Sequence, residues 1–75
     1  MHIRLKLMGR LKAKTPAGGV LEVADGATID DVLRALDIVP QTIRVFTVNG
    51  VFERDRGRAL AANDELTAIP PVGGG

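Results

Sequence analysis

A short amphipathic segment places the strongest constraint on how this chain can fold. Ile29, Val32, Leu33 and Leu36 fall at the i, i+3, i+4 and i+7 positions of one helical stripe. Thr28 precedes them as a good N-cap, and the adjacent acids Asp30 and Asp31 suit the positive end of a helix dipole. The pattern predicts a helix that ends near Asp37, because Pro40 disfavours helical geometry at Val39. Three turns with one apolar face are marginal alone, so this helix must pack against a sheet.

Alternating hydrophobicity predicts the strands of that sheet. Ile3, Leu5 and Leu7 form one strand, and Leu21 with Val23 forms a shorter one, which together predict a hairpin with a loose connection. Further strands are predicted from Arg44 to Val48, at Val51-Phe52 after the Asn49-Gly50 turn, and from Glu65 to Ile69. We assign Phe46, Phe52 and Leu60 to the core. The expected fold is α+β, a mixed sheet of four to five strands on one main helix in a β-grasp arrangement.

The missing residue types restrict the chemistry. The 75-residue chain has no Cys, Ser, Tyr or Trp, and its one histidine is His2. Disulfides, thiolate chemistry, cysteine-based metal sites and serine triads are therefore excluded. Asp30 and Asp31 are interpreted as partners of the helix dipole, since neighbours one residue apart on a helix do not face each other. We expect no enzyme acting alone, no metal and no tightly bound cofactor.

The composition and the distribution of charge also predict the cellular location and the binding partners. Absence of cysteine fits the reducing cytosol, and no long apolar stretch follows the start of the chain, so we expect a cytoplasmic protein without a membrane span. Basic side chains precede the first acid, Glu22, and could face nucleic acid or an acidic protein: Arg4, Lys6, Arg10, Lys12 and Lys14. We interpret Arg4 and Lys6 as the solvent-facing side of a strand. We expect that the protein does not bind nucleic acid, because base stacking needs exposed aromatic rings.

Residues 70–75 are not explained by folding. They contain two prolines and three glycines, which favour an extended chain that can reach about 20 Å into a narrow channel. We predict a single domain over residues 1–69 followed by this tail. The terminal carboxylate of Gly75 is a poor electrophile, so its use requires activation by another protein, for instance as an acyl-adenylate. A frayed end is the competing interpretation.

Several segments together resemble one family. Asn63-Asp64-Glu65-Leu66 followed by Pro70 to Gly75 is similar to the end of ubiquitin-like sulfur carriers of the molybdopterin-synthase small-subunit and thiamine-biosynthesis type. Ile3 to Leu11 resembles their first strand and turn, Thr28 to Leu33 their helix start, and Val48-Asn49-Gly50 their central turn. The resemblance spans nearly the whole chain and implies a β-grasp fold.

The same resemblance implies a reaction cycle and its partners. An adenylyltransferase related to ubiquitin-activating enzymes would charge Gly75 with AMP, using ATP and Mg²⁺, and a sulfur donor would convert it to a thiocarboxylate. Gly74 would be needed for access to the active site, and Ile69, Pro70, Pro71, Val72 and Gly73 would position the tail or bind the partner. The acceptor would be an enzyme such as the molybdopterin synthase large subunit or thiazole synthase.

Different parts of the sequence favour different pathways for the sulfur. The proline pair and the start of the chain favour molybdopterin biosynthesis, whereas the short link after the helix and the Val72-Gly73-Gly74-Gly75 ending resemble thiamine-type carriers. Sulfur delivery for thiamine or for transfer-RNA thiolation stays an alternative, as does a ubiquitin-like modifier that joins Gly75 to lysine.

Overall fold

Alternating apolar side chains give the sheet its five strands around one short helix. The computed structural model describes residues 1–71. The elements are β1 (His2–Leu7), two 3-10 turns (Gly9–Lys14 and Ala17–Gly19), β2 (Val20–Glu22), α1 (Ile29–Ala35), a 3-10 turn (Pro40–Thr42), β3 (Val45–Val48), β4 (Val51–Glu53) and β5 (Glu65–Ile69). The strand predicted over Glu65 to Ile69 is confirmed at both ends.

The strand order identifies the architecture. It is β2-β1-β5-β3-β4, with β5 in the centre. β1 and β5 are parallel, while β1–β2, β3–β5 and β3–β4 are antiparallel. A mixed sheet with its first and last strands side by side, and one main helix, is the β-grasp fold that the sequence predicted.

The helix begins where the sequence places its cap. The Thr28 hydroxyl accepts a hydrogen bond from the Asp31 backbone N–H at 3.2 Å, and the Thr28 N–H donates to the Asp31 carboxylate at 2.9 Å. This reciprocal pair is a capping box. The buried stripe formed by Ile29, Val32 and Leu33 is at most 1% exposed. The helix therefore covers one face of the sheet and, among residues 1–71, leaves the opposite face uncovered.

The core contains Phe46 and Leu60, as predicted, but the assignment of Phe52 to the core is wrong. Phe46 is 7% exposed and Leu60 4%, whereas Phe52 is 76% exposed. The register explains the difference: Phe52 lies opposite Thr47, on the face of the sheet away from the helix. A strand's alternation defines two faces but not which of them meets the core.

The β3–β4 turn is fastened to the central strand. Asn49 and Gly50 have φ values of 54° and 84°, the positive pair that a type I′ hairpin turn requires. The Asn49 side chain donates to the Asp64 carboxylate and accepts from the Glu65 N–H, both at 2.9 Å. Asp64 also accepts from the Ala61 N–H at 2.8 Å. The bonds from Ala61 and then Asn49 hold the pKa of the Asp64 carboxyl below its usual value.

None of the helices formed within residues 1–71 has the length and apolar character needed to cross a bilayer.

Candidate functional site: the base of the C-terminal tail

The tail leaves the sheet from its central strand, and both neighbouring strands hold that strand to its end. The Met8 N–H donates to the Ala68 carbonyl at 3.1 Å on one side. On the other side the Arg44 N–H donates to the Ile69 carbonyl at 2.9 Å, and Ile69 lies opposite Val45. The predicted site residue Ile69 is therefore the last fixed residue of β5, and the direction of the chain beyond it starts from a rigid base.

Pro70 continues this rigid base by packing on Gly9. Gly9 has a φ of +56°, which L side chains rarely adopt, and a Cβ atom added to it would lie 3.1 Å from Pro70 Cγ. The proline ring thus occupies the space that any other residue at position 9 would fill. Pro70 is half-buried, while Pro71 is exposed. Nothing in the local sequence pattern around Gly9 pointed to a contact with the tail.

The uncovered face of the sheet surrounds the tail base, and we call it the open face. It carries the side chains that alternate with the core residues: Arg4, Lys6, Val45, Thr47, Phe52, Thr67 and Ile69. Val45, Thr47, Thr67 and Ile69 are half-buried by their neighbours in the sheet, and Phe52 stands most exposed. The open face thus combines apolar and hydroxyl-bearing side chains with the exposed cations Arg4 and Lys6, and it continues directly into the base of the tail.

Basic side chains flank the open face near the tail. Arg4 pairs with Glu65 at 3.7 Å at the far end of β5. Within residues 1–71, no carboxylate lies within 4.0 Å of Lys6, Arg10 or Arg44, so the end of the sheet from which the tail leaves presents positive charge.

The adjacent carboxylates of the helix have structural partners. Asp30 contacts the Arg56 guanidinium at 3.5 Å, whereas Asp31 caps the helix and contacts Arg34 at 3.2 Å. Hydrogen bonds from the Thr28 backbone and then its hydroxyl hold the pKa of the Asp31 carboxyl below its usual value, and Arg34 adds to this effect. The two carboxylates thus bind different groups, in agreement with the expected role at the helix N-terminus.

The remaining predicted site residues are Val72, Gly73, Gly74 and Gly75, and they lie outside the residues that the structure describes. Their roles, and the division into a domain of residues 1–69 and a tail of residues 70–75, stay predictions. Over residues 1–71 no group of three or more His, Cys, Asp or Glu side chains is arranged to hold a metal ion.

The β-grasp fold, with a tail leaving the central strand, defines a small ubiquitin-like protein, a class of non-catalytic carriers and modifiers. The family model described as the ThiS family matches residues 5–75, and this chain belongs to that family. Membership confirms the resemblance to sulfur carriers and implies an activating enzyme of the ubiquitin-activating type as a partner. It does not distinguish molybdopterin from thiamine biosynthesis.

Solved structures of an archaeal protein share the fold. A crystal structure of SAMP1 from Haloferax volcanii is 27% identical, with a TM-score of 0.73 and full coverage of both chains. A second structure, of H. volcanii small archaeal modifier protein 1, is 28% identical with a TM-score of 0.71, and the match covers 95% of this chain and 98% of that one. No curated protein matches this chain.

Proposed function

We propose that this chain is a sulfur carrier that holds sulfur as a thiocarboxylate on Gly75. The observation that carries the proposal is the ThiS-family match, which extends through the glycines of the tail to residue 75. The fixed end of β5 supports the proposal, because a tail that starts from a rigid strand loses less conformational entropy when an enzyme binds it. The chain has no cysteine on which sulfur could otherwise be held.

The proposed chemistry takes place in partner enzymes. The Gly75 carboxylate attacks the α-phosphorus of ATP in the presence of Mg²⁺, forming the acyl-adenylate and releasing pyrophosphate. A hydrosulfide equivalent from the sulfur donor then attacks the activated carbonyl carbon and displaces AMP. The product is a thiocarboxylate, which returns to a carboxylate when the acceptor enzyme takes the sulfur and water supplies the oxygen.

The residues of this chain contribute binding and positioning. Ile69 and the open face are proposed to dock on the activating enzyme, because the open face carries the apolar side chains of Val45 and Ile69 at the base of the tail. Pro70 and Pro71 restrict the chain to extended conformations, and Val72 and Gly73 continue it into the enzyme. Gly74 lacks a Cβ and so permits a narrow channel around the reacting Gly75.

Molybdopterin biosynthesis is the pathway we propose for the sulfur, with a molybdopterin synthase large subunit as the acceptor. The proposal rests on the Pro70-Pro71 pair and on the start of the chain. Delivery to a thiazole synthase, or to an enzyme of transfer-RNA thiolation, is the alternative. Supplying the thiocarboxylate form to each acceptor enzyme and measuring sulfur transfer distinguishes these pathways.

ATP–pyrophosphate exchange tests the activation step. With the activating enzyme of the same organism, the full chain should stimulate exchange, whereas a chain that lacks Gly75 or is extended beyond it should not. Both variants should keep the circular dichroism spectrum and unfolding transition of the full chain, because Gly75 lies six residues beyond the last strand. Absence of exchange with an enzyme shown to activate another carrier contradicts the proposal.

A protein modifier is the second candidate function, and the similarity to the small archaeal modifier SAMP1 supports it. In this case a lysine amine of a target protein would attack the Gly75 acyl-adenylate, or a later acyl intermediate, and form an isopeptide bond. A chain tagged at its N-terminus and supplied to a cell extract with ATP should then appear in conjugates larger than the free chain. Conjugates that depend on Gly75, without any thiocarboxylate form, would favour the modifier over the carrier.

A further inference from the structure

A groove runs along the part of β3 that β4 does not cover. β4 pairs with β3 only from Val48↔Val51 to Phe46↔Glu53, and the chain then turns away. The space left beside the start of β3 is a groove of about 660 Å³. Its walls include Pro40, Ile43, Phe52, Arg44, Arg54 and Arg56, and we call it the arginine groove.

The charge of the groove is positive and largely uncompensated. Within residues 1–71, neither Arg44 nor Arg54 has a carboxylate within 4.0 Å. Arg56 lies 3.5 Å from Asp30, but its side chain remains 41% exposed. The acid on the wall, Glu53, is neutralised by Arg58 at 3.0 Å and accepts a hydrogen bond from the Asp55 N–H at 3.1 Å. The groove therefore favours a ligand that carries several negative charges.

The groove also offers apolar surface and borders the outer edge of β4. Phe52 lines the groove together with Pro40 and Ile43, and its side chain is 76% exposed. Its ring is not part of the hydrophobic core. In a hairpin closed by a two-residue turn, the residues flanking the turn exchange hydrogen bonds and the next pair does not. Since Val51 flanks the turn, the peptide N–H and C=O of Phe52 face away from β3. An extended peptide laid along this edge would meet a donor, an acceptor and an aromatic ring.

We propose that the arginine groove binds an extended acidic segment of a partner protein. Carboxylates of the segment pair with Arg44 and Arg54, and an apolar side chain between them lies on Phe52. A peptide fits better than a nucleic acid, because Phe52 is the exposed aromatic ring of the groove and Phe46 is only 7% exposed, whereas single strands need successive stacking platforms.

The groove is separate from the reacting end of the tail but close to its base. Val45, which lines the groove, lies opposite Ile69 in the sheet. A partner that binds the tail could occupy the groove at the same time. The second contact would then form within the complex, which raises the overall affinity. The inference does not depend on sulfur chemistry, because no residue beyond Pro71 takes part in it.

Fluorescence anisotropy with a short labelled peptide of alternating glutamate and isoleucine tests the proposal. The full chain should bind it saturably, with affinity that falls as salt shortens the Debye length. Arg54→Glu and Arg44→Glu should each weaken binding by about tenfold or more, and Phe52→Ser by about threefold to tenfold. Arg10→Glu makes the same charge change outside the groove and should weaken binding less than about threefold. A chain ending at Pro71 should bind as the full chain does.

Several results would overturn the proposal, provided that circular dichroism shows each variant to be folded. They are absence of saturable binding, equal losses in Arg10→Glu and Arg54→Glu, and equal binding of a peptide with lysines in place of the glutamates. A labelled single-stranded oligonucleotide that binds through the same arginines more tightly than the acidic peptide would identify the groove as a nucleic-acid site instead. Loss of peptide binding in the chain ending at Pro71 would show that the tail, and not the groove, binds the peptide.

Discussion

Replacing Gly9 with alanine tests whether the contact beneath the tail directs Gly75 into the activating enzyme. Gly9 has a φ of +56°, and its missing side chain leaves room for the Pro70 ring. Gly18 provides a matched control, because its φ is +70° and an added Cβ would meet no atom within 4 Å. Gly9→Ala and Gly18→Ala therefore introduce similar backbone strain, but only the first displaces the base of the tail.

The structure gives the size of each effect. A left-handed φ costs an alanine about 1–2 kcal/mol, partly offset by about 0.4–1 kcal/mol because alanine restricts the unfolded chain. At Gly9 the new Cβ also lies 3.1 Å from Pro70 Cγ, so the ring must move by a few tenths of an ångström to reach ordinary contact. A shift of about 0.3 Å one residue from the pivot at Ile69 becomes about 2 Å at the end of a fully extended tail. Misplacement of a reacting group by as little as about 1 Å can lower the rate of an enzyme reaction by up to about 100-fold. Because the glycines of the tail can adjust to part of the shift, we expect a threefold to tenfold loss of kcat/KM.

Two measurements separate stability from positioning. Denaturant unfolding followed by circular dichroism, which the absence of Trp and Tyr makes the suitable probe, should give free energies of unfolding within about 1 kcal/mol for the two variants. The kcat/KM of ATP–pyrophosphate exchange, with the carrier as the varied substrate, should fall threefold to tenfold for Gly9→Ala and stay near the wild-type value for Gly18→Ala.

If Gly9→Ala supports exchange as well as Gly18→Ala while remaining folded, the Pro70 contact does not direct the tail. Equal losses in both variants would lead to the same conclusion, because they would attribute the effect to backbone strain and not to the Pro70 contact. A larger loss of stability in Gly9→Ala than the expected value would call for measurement at lower temperature, where both variants are folded.

Three further predictions concern stability. Thr28→Ala removes the hydroxyl of the capping box and should lower the free energy of unfolding by about 1 kcal/mol in a denaturant titration. The pKa values of Asp31 and Asp64 are lowered in the folded chain, so the unfolded chain binds protons first as the pH falls. Their contribution to the free energy of unfolding should be complete above a pH of about 5 and should disappear as the pH falls below about 4, through the lowered pKa values. Urea titrations in which the free energy of unfolding rises as acid is added would contradict this. Phe46→Ala should cost about 3–5 kcal/mol because the ring is buried, whereas Phe52→Ser should change the thermal midpoint little; a comparable loss for Phe52→Ser would mean that its ring packs in the core.

Local patterns predicted those parts of the fold that depend on neighbours in sequence. Thr28 and Asp31 are three residues apart, so their capping bonds follow from the helix itself. Asn49 and Gly50 determine their own turn by tolerating positive φ. The alternation in β5 gave both ends of the strand, because Asn63-Asp64 and Pro70 interrupt it on either side.

Features that depend on distant residues were not predictable in the same way. Phe52 alternates with its neighbours as a core residue would, and only its pairing with Thr47 shows that it points away from the helix. The Gly9–Pro70 contact joins opposite ends of the sequence through the parallel pairing of β1 with β5. The arginine groove exists because β4 stops at Glu53, a strand end that has no turn signal as strong as Asn49-Gly50.

Tandem mass spectrometry of the chain after incubation with its activating enzyme, ATP, Mg²⁺ and a sulfide source decides whether Gly75 receives sulfur. We expect one oxygen to be replaced by sulfur and fragmentation to assign the substitution to Gly75. A chain extended beyond Gly75 should stay unmodified under the same conditions. Complete adenylation without any sulfur on Gly75, with a sulfur donor shown to be active on another carrier, would show that this chain is not a sulfur carrier.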